Sequence, residues 1–324
     1  MNFARPRIYA SKCLGFAKCR WNGLSVESET VEKLAPFVDF VTACPEAEIG
    51  LGIPRKPVRV IEIDGVHRLY QPDLDLDHTD AMNSRIDEIL GGLGDVDGFI
   101  LKNRSPTCGM FDVKVYPGKS TKTAAIAKRM GFLGGAIQDR YASWPMEDEG
   151  RLTNWEIRER FFTQVFLLAG FREVRQQFTA KALIDFHARN KYLLTAFNQS
   201  RAKTLGKIVA AQKETGLADA LSKYEPELRL AIRTGPRKSS VANVLMHVLG
   251  YFKKVLGPRE KNHFLDLLES YRQGKQPLSA LNAVIASWIE RTDEQYLRYQ
   301  TFFRPYPDEL IDITSSGQGR TYRK

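Results

Sequence analysis

The sequence predicts an α/β N-terminal domain with a mainly parallel sheet, followed by an all-α C-terminal domain. Three observations carry that prediction. At 324 residues the chain is longer than most single hydrophobic cores can organise. Short β-rich runs alternate with helical patterns over the N-terminal part, the pattern of a parallel sheet with covering helices. From Asn154 onward the apolar spacing is helical almost throughout. Two domains are expected, residues 1–145 and 146–324.

In order along the chain, β-rich runs lie at Arg7–Ala10, Val38–Ala43, Val58–Ile63 and Gly98–Lys102. Helical patterns fall between or after them at Glu27–Leu34, Ala81–Leu93 and Lys122–Gly131. The stretch Tyr141–Gly150 holds a proline, an acidic cluster and a glycine with little periodicity, and marks the boundary. Beyond it, Phe161, Val165, Leu168 and Ala169 share one helix face, and Phe186–Phe197, Val241–Leu256 and Leu281–Tyr299 repeat that style. The same periodicity favours Tyr251 and Phe252 as core residues over stacking platforms for a base. The polar tail Thr314–Lys324 reads as loose.

Composition excludes several classes. With 27% charged and 43% hydrophobic residues the chain is neither disordered nor fibrous. No apolar run approaches the roughly 18 residues of a membrane span. The N-terminal Met1–Arg7 has basic residues but no apolar stretch behind them, so it does not read as a secretory signal. A cytoplasmic protein without a membrane partner is expected, and nothing calls for an obligatory protein partner. Charge is uneven: 19 Lys+Arg face 21 Asp+Glu up to Gly150, whereas 29 face 17 after it, a net of +12. A field of that sign attracts polyanions such as nucleic acid. The plainer reading is a basic, soluble helical domain.

Four cysteines are too few for a disulfide scaffold, and all lie in the first third of the chain: Cys13, Cys19, Cys44 and Cys108. Cys13, Cys44 and Cys108 each sit in a loop leaving the carboxyl end of a predicted strand, and in an open parallel sheet those loops converge where ligands bind. Three thiolates gathered this way make a soft site for zinc or an iron–sulfur cluster. If Cys19 joins them, four thiolates can close around a structural zinc. If it does not, three thiolates on a cubane leave one iron open. Inert buried cysteines are the third possibility. Glu46 lies two residues beyond Cys44 and Ser105 three before Cys108, so a carboxyl and a hydroxyl flank the thiols as an acid–base and positioning pair. Taken singly, they read as a solvated loop acid and a turn residue. Arg55 and Lys102 are read either as cations that neutralise an anionic cluster or a nearby phosphate, or as ordinary surface cations.

These residues resemble a known family. Ser11-Lys12-Cys13-Leu14-Gly15 with Arg20-Trp21-Asn22-Gly23, Cys44-Pro45-Glu46 through Gly50-Leu51-Gly52-Ile53-Pro54-Arg55, and Leu101–Gly109 are similar to the thiouracil desulfidase (DUF523) family, with Thr107 where many members carry serine. The second half resembles the DUF1722 domain through His187, Lys191-Tyr192-Leu193-Leu194, Leu205-Gly206-Lys207, Asn243–His247 with Gly250–Lys254, and Gln300 followed by Arg304-Pro305-Tyr306-Pro307. The resemblance implies an enzyme in which Cys13, Cys44 and Cys108 hold a [4Fe–4S] cluster whose fourth iron takes the sulfur of a thiocarbonyl base. Glu46 and Ser105 inherit proton-transfer and substrate-handling roles, and Cys19 falls outside the ligand trio. Members with both domains look like hydrolytic desulfidases of 4-thiouridine in tRNA. Phosphate contacts are then expected from Lys191, Lys203, Lys207, Lys253 and Lys254, each of which otherwise belongs to a solvated helix face. The rivals are a desulfidase of free thiobases such as 2-thiouracil and a non-catalytic, zinc-containing nucleic-acid-binding protein.

Overall fold

A computed structural model describes residues 2–314, so the tail beyond Thr314 lies outside the described residues. Parallel pairing of chain-distant strands organises the N-terminal part. Its strands are β1 (Arg7–Ser11), β2 (Asp39–Ala43), β3 (Arg59–Ile63), β4 (Val66–Gln71), β5 (Leu76–Asp77), β6 (Gly98–Leu101), β7 (Val113–Pro117), β8 (Ala127–Arg129) and β9 (Met146–Asp148). Helices α1 (Glu29–Leu34), α2 (Pro45–Glu48), α3 (Thr79–Gly91) and α4 (Phe132–Arg140) separate them. One sheet has the order β2-β1-β6-β9 and is parallel throughout, with Tyr9 opposite Val41 on one side and Phe99 on the other. Burial on both faces explains why β1 and β6 read as nearly continuous apolar runs. Met82, Ile86 and Leu90 of α3 and Leu133 and Ile137 of α4 share a core with Tyr9, Phe99 and Leu101.

The expected mainly parallel sheet is therefore present, with three corrections around it. Val58–Ile63 does not join it: β3 belongs to a second, mixed sheet of order β5-β4-β3-β7-β8. The signal for that hairpin is Asp64-Gly65, both at positive φ, which turns β3 antiparallel onto β4. Lys122–Gly131 is not a helix; it supplies β8, antiparallel to β7, with Ile126 N–H donating to Val115 O. Cross-strand pairing there overrides the helix propensity of its alanines and lysines. The aperiodic stretch Tyr141–Gly150 includes β9, which extends the parallel sheet beside β6.

The rest of the chain is helical: α5 (Trp155–Gln177), α6 (Ala180–Phe197), α7 (Gln199–Thr215), α8 (Leu217–Ile232), α9 (Lys238–Leu249), α10 (Pro258–Arg272), α11 (Leu278–Thr292) and α12 (Gln295–Arg298), with a 3₁₀ turn at Gly250–Phe252. Two compact units result. One comprises Arg5–Val165 with the segment from Leu310, the other Phe166–Glu309 with the residues up to Ala4. The second unit has one continuous core, including Leu183, Phe186, Tyr224, Leu245, Phe264 and Ile285. Helix starts are capped as their sequences predict: Thr179 Oγ1 accepts from Ala182 N–H and Asn198 Oδ1 from Arg201 N–H. No helix among the described residues is long and apolar enough to cross a membrane.

Buried acids lock β9 in place. Glu147 accepts from Arg151 Nε at 2.6 Å and from Arg160 Nη2 at 2.7 Å. Burial, with Glu149 and Glu147 nearby, pushes Asp148 up to about 6 from 3.8, against the opposing hydrogen bond from Arg151 N–H. The folded state thus holds this proton more tightly than the unfolded chain, so its contribution to stability is complete below pH 3.8 and is lost as the pH rises through about 6. Asp148→Asn should flatten this segment of the stability–pH curve, as read from urea midpoints between pH 4 and pH 7; an unchanged slope would assign the dependence to other groups.

Candidate functional site

Three of the four cysteines stand at one edge of the parallel sheet. Cys13 lies two residues past β1, Cys44 directly follows β2, and Cys108 lies in the loop leaving β6. Because β2, β1 and β6 are neighbours, the sheet brings together positions far apart in the chain. Ser11 ties β1 to the segment after β6: its Oγ accepts from Lys102 N–H at 2.9 Å, and its hydroxyl lies near enough to Cys108 to oppose the rise that burial imposes on that thiol.

The Cys108 loop is built against α4. The N–H groups of Phe132, Leu133 and Gly134 donate to carbonyls of Pro106 and Thr107, so the loop satisfies the otherwise unpaired first turn of the helix. Ser105 Oγ accepts from Thr107 N–H and Cys108 N–H, at 3.2 and 3.0 Å, and shapes the turn that presents Cys108. Such an approach needs a bare backbone: a Cβ at Gly134 meets Gly109 O at 2.3 Å. Gly134→Ala should cost about 1–3 kcal/mol of stability through this overlap. It should also raise the reaction rate of the buried Cys108 with a thiol reagent; a wild-type melting curve and wild-type reactivity would show that the loop is held by something else.

Glu46 sits in α2 behind Cys44 and is nearly buried. Arg55 donates to its Oε2 from Nη2 at 2.6 Å and Nε at 3.1 Å, while Thr107 Oγ1 donates to Oε1 at 2.9 Å. Arg55 itself is 4% exposed and also donates to Cys19 O and Gly52 O, so it joins the Cys13–Cys19 loop to the Glu46 turn. The structure therefore brings Glu46 together with the Cys108 loop through Thr107. Arg55 and Lys102 are each paired with a carboxylate, Arg55 with Glu46 and Lys102 with Glu149, so neither is a free surface cation.

Electrostatics bind the thiols into one system. Burial, reinforced by Cys44, raises Cys13 to about 11, and burial likewise raises Cys108. The Cys44 thiol donates to Cys19 O at 3.6 Å, and the neighbouring Cys19 thiol, with the Ala47 N–H helping and burial opposing, holds Cys44 below its ordinary value. Cys19 is thus a partner of Cys44. Among the described residues no three His, Cys, Asp or Glu side chains converge closely enough for a single metal ion. Thiols at the ends of neighbouring strands are the donor type an iron–sulfur group takes. Tyr9 Oη supplies a second indication. It is buried without a hydrogen-bond partner among the described residues and lies within electrostatic reach of Cys108, Cys44 and Cys13. A sulfur-rich acceptor among these thiols would give that hydroxyl a partner. The donor set fits an iron–sulfur group.

Comparison with known proteins follows the same division. The 2-thiouracil desulfurase family model matches residues 8–149, and the model of a protein of unknown function, DUF1722, matches residues 191–307. The uncharacterised protein YbbK of Bacillus subtilis is 30% identical over 140 residues, covering 39% of this chain and 91% of YbbK. The chain belongs to the 2-thiouracil desulfurase family. It also carries a DUF1722 domain, and is 29% identical over 156 residues to the uncharacterised protein YbgA of Escherichia coli K12, covering 48% of this chain and 92% of YbgA. Among solved structures, the [4Fe-4S]-dependent thiouracil desulfidase TudS is 22% identical, with 46% of this chain and 93% of that one covered and a TM-score of 0.36. Family membership supports thionucleobase desulfurisation as the chemistry of this chain.

In the helical unit, Lys191, Lys203, Lys207, Lys253 and Lys254 are all exposed and have no ion-pair partner among the described residues. Lys203 and Lys207 lie one turn apart on α7, whereas Lys191 is in α6 and Lys253 and Lys254 follow the 3₁₀ turn. His187 is a core histidine, its Nδ1 3.0 Å from Tyr224 Oη and its charged form disfavoured by burial. Phe252 is in the core as expected, but Tyr251 is not: α9 ends at Leu249, so helical periodicity ceases to govern where the next side chains point. Sequence reasoning also gave no role to Ser11, Thr107 or Tyr9; the first two lie within the quoted motifs, and Tyr9 carries no signal beyond a strand position.

Proposed function

We propose that the protein removes sulfur hydrolytically from 4-thiouridine in tRNA, giving uridine and sulfide, with a [4Fe–4S] cluster held by Cys13, Cys44 and Cys108. One observation carries this reading: three thiols from chain-distant loops leave adjacent parallel strands beside a braced carboxylate, in a chain of the 2-thiouracil desulfurase family. When bound, the cluster supplies an iron without a protein ligand, a soft Lewis acid for a thiocarbonyl sulfur.

The remaining chemistry belongs to the side chains. Arg55 and Thr107 fix both oxygens of Glu46 and leave a lone pair on Oε1 to take a proton from water as it attacks the ring carbon. Glu46 then returns that proton as sulfide departs, so atoms balance as thiocarbonyl plus water to carbonyl plus hydrogen sulfide, with no change in oxidation state. Ser105, whose oxygen accepts two loop N–H groups, keeps its own hydrogen for the substrate. The unpaired lysines and positive field of the helical part favour a polyanionic substrate over a free base, which needs no such field.

Anaerobically purified protein should be brown and contain iron and labile sulfide. Cys108→Ala should lose both, whereas Glu46→Gln should keep the visible absorption and lose sulfide release by at least about 100-fold. Sulfide release from thiolated tRNA should exceed that from free 4-thiouracil. The reverse preference would favour the free-base enzyme, and zinc without iron would favour the nucleic-acid-binding reading.

A further inference from the structure

A cluster of tyrosines in the helical unit lies outside the chemistry described so far. Tyr192 comes from α6, Tyr251 from the 3₁₀ turn after α9, and Tyr296 from α12. The rings of Tyr251 and Tyr296 are stacked, 5.8 Å between centroids and 9° from parallel. Tyr192 meets both edge-on, at 6.4 and 6.3 Å. The hydroxyls of Tyr192 and Tyr251 are 3.2 Å apart. Tyr192 is in turn anchored by the core, since its backbone N–H donates to the buried Gln300 Oε1. This is a rigid arrangement, yet Tyr251 is 43% exposed, and Tyr299 just after α12 is 59% exposed.

Exposed cations adjoin the cluster. Lys191 adjoins Tyr192, and Lys253 and Lys254 follow Tyr251 within three residues; all three are exposed without an ion pair among the described residues. Of the acids in the neighbouring segment, Glu290 and Asp293 both pair with Arg298, and Glu294 accepts from Tyr296 N–H at the start of α12. Between Phe166 and Glu309 the chain carries 23 Lys+Arg against 14 Asp+Glu. A flat aromatic face held in a fixed orientation and flanked by free ammonium groups matches a nucleobase on its phosphate backbone: the ring takes the base and the lysines take the adjoining phosphates. Since Tyr296 and Tyr192 already hold the Tyr251 ring, stacking a base on it orders no further side chain.

We infer that Tyr251, backed by Tyr296 and Tyr192, is a stacking platform for an unpaired base of the RNA substrate, with Lys191, Lys253 and Lys254 on the adjoining phosphates. This rests on the tRNA reading and gives that reading a location. Stacking and ion pairing separate experimentally, because only charge contacts release counterions.

The test is the affinity of the full-length protein for thiolated bulk tRNA across a salt series, with melting temperature as the fold control. Tyr251→Ala should weaken binding about tenfold with an unchanged salt slope. Tyr251→Leu, which keeps an apolar body and removes the aromatic face, should do the same and covers the case in which the alanine variant fails to fold. Tyr251→Phe should bind within about twofold of wild type. Lys253→Glu with Lys254→Glu should instead reduce the slope by about two. Wild-type affinity in both Tyr251→Ala and Tyr251→Leu would overturn the platform while leaving the tRNA reading intact. Absence of tRNA binding by the wild-type protein would overturn the tRNA reading itself.

Discussion

The site depends on the parallel pairing of β2, β1 and β6. Parallel neighbours must be joined by crossovers, so residues at their carboxyl ends are brought together although dozens of positions separate them. Cys13, Cys44 and Cys108 meet for that reason alone. The same pairing explains why Ser11, the last residue of β1, reaches both Lys102 and Cys108 after β6.

Around this edge every flexible segment is tied at its polar atoms. The Cys108 loop gives its carbonyls to the first turn of α4, the Glu46 turn is clamped by Arg55, and Arg55 also holds the carbonyl of Cys19. The arrangement keeps thiols and carboxylate at fixed separations before any substrate arrives, as preorganised catalysis requires. It has an electrostatic consequence as well. Burial raises Cys13 and Cys108, so an iron–sulfur group held there would have to displace their protons.

The helical unit answers a different physical demand. Its core absorbs apolar residues from nearly every helix, which leaves the surface free to carry cations that the fold does not pair. Among the described residues Lys191, Lys203, Lys207, Lys253 and Lys254 have no ion-pair partner, and these are the cations the proposed RNA contact would use. Tyr251 belongs to the same logic, being an aromatic ring held by the core and left open to solvent.

Much of this was legible in the chain. Strong β-rich runs before Cys13, Cys44 and Cys108 placed all three at strand ends, because continuous apolar runs announce strands buried on both faces, and helical periodicity from Asn154 onward announced the second architecture. Local pattern failed where long-range pairing decides the outcome. The segment Lys122–Gly131 has helical composition and becomes β8, β3 leaves the main sheet through the turn at Asp64-Gly65, and β9 forms in a stretch with no period of its own. By itself the sequence determined which residue types are available for sulfur, proton and phosphate chemistry, and which loops carry them. Only the tertiary structure decided that Arg55 and Thr107 grip Glu46, that Cys19 pairs with Cys44, and that Tyr251 faces outward. Those facts are distances between residues far apart or beyond a helix end, and side-chain spacing along a chain does not encode them.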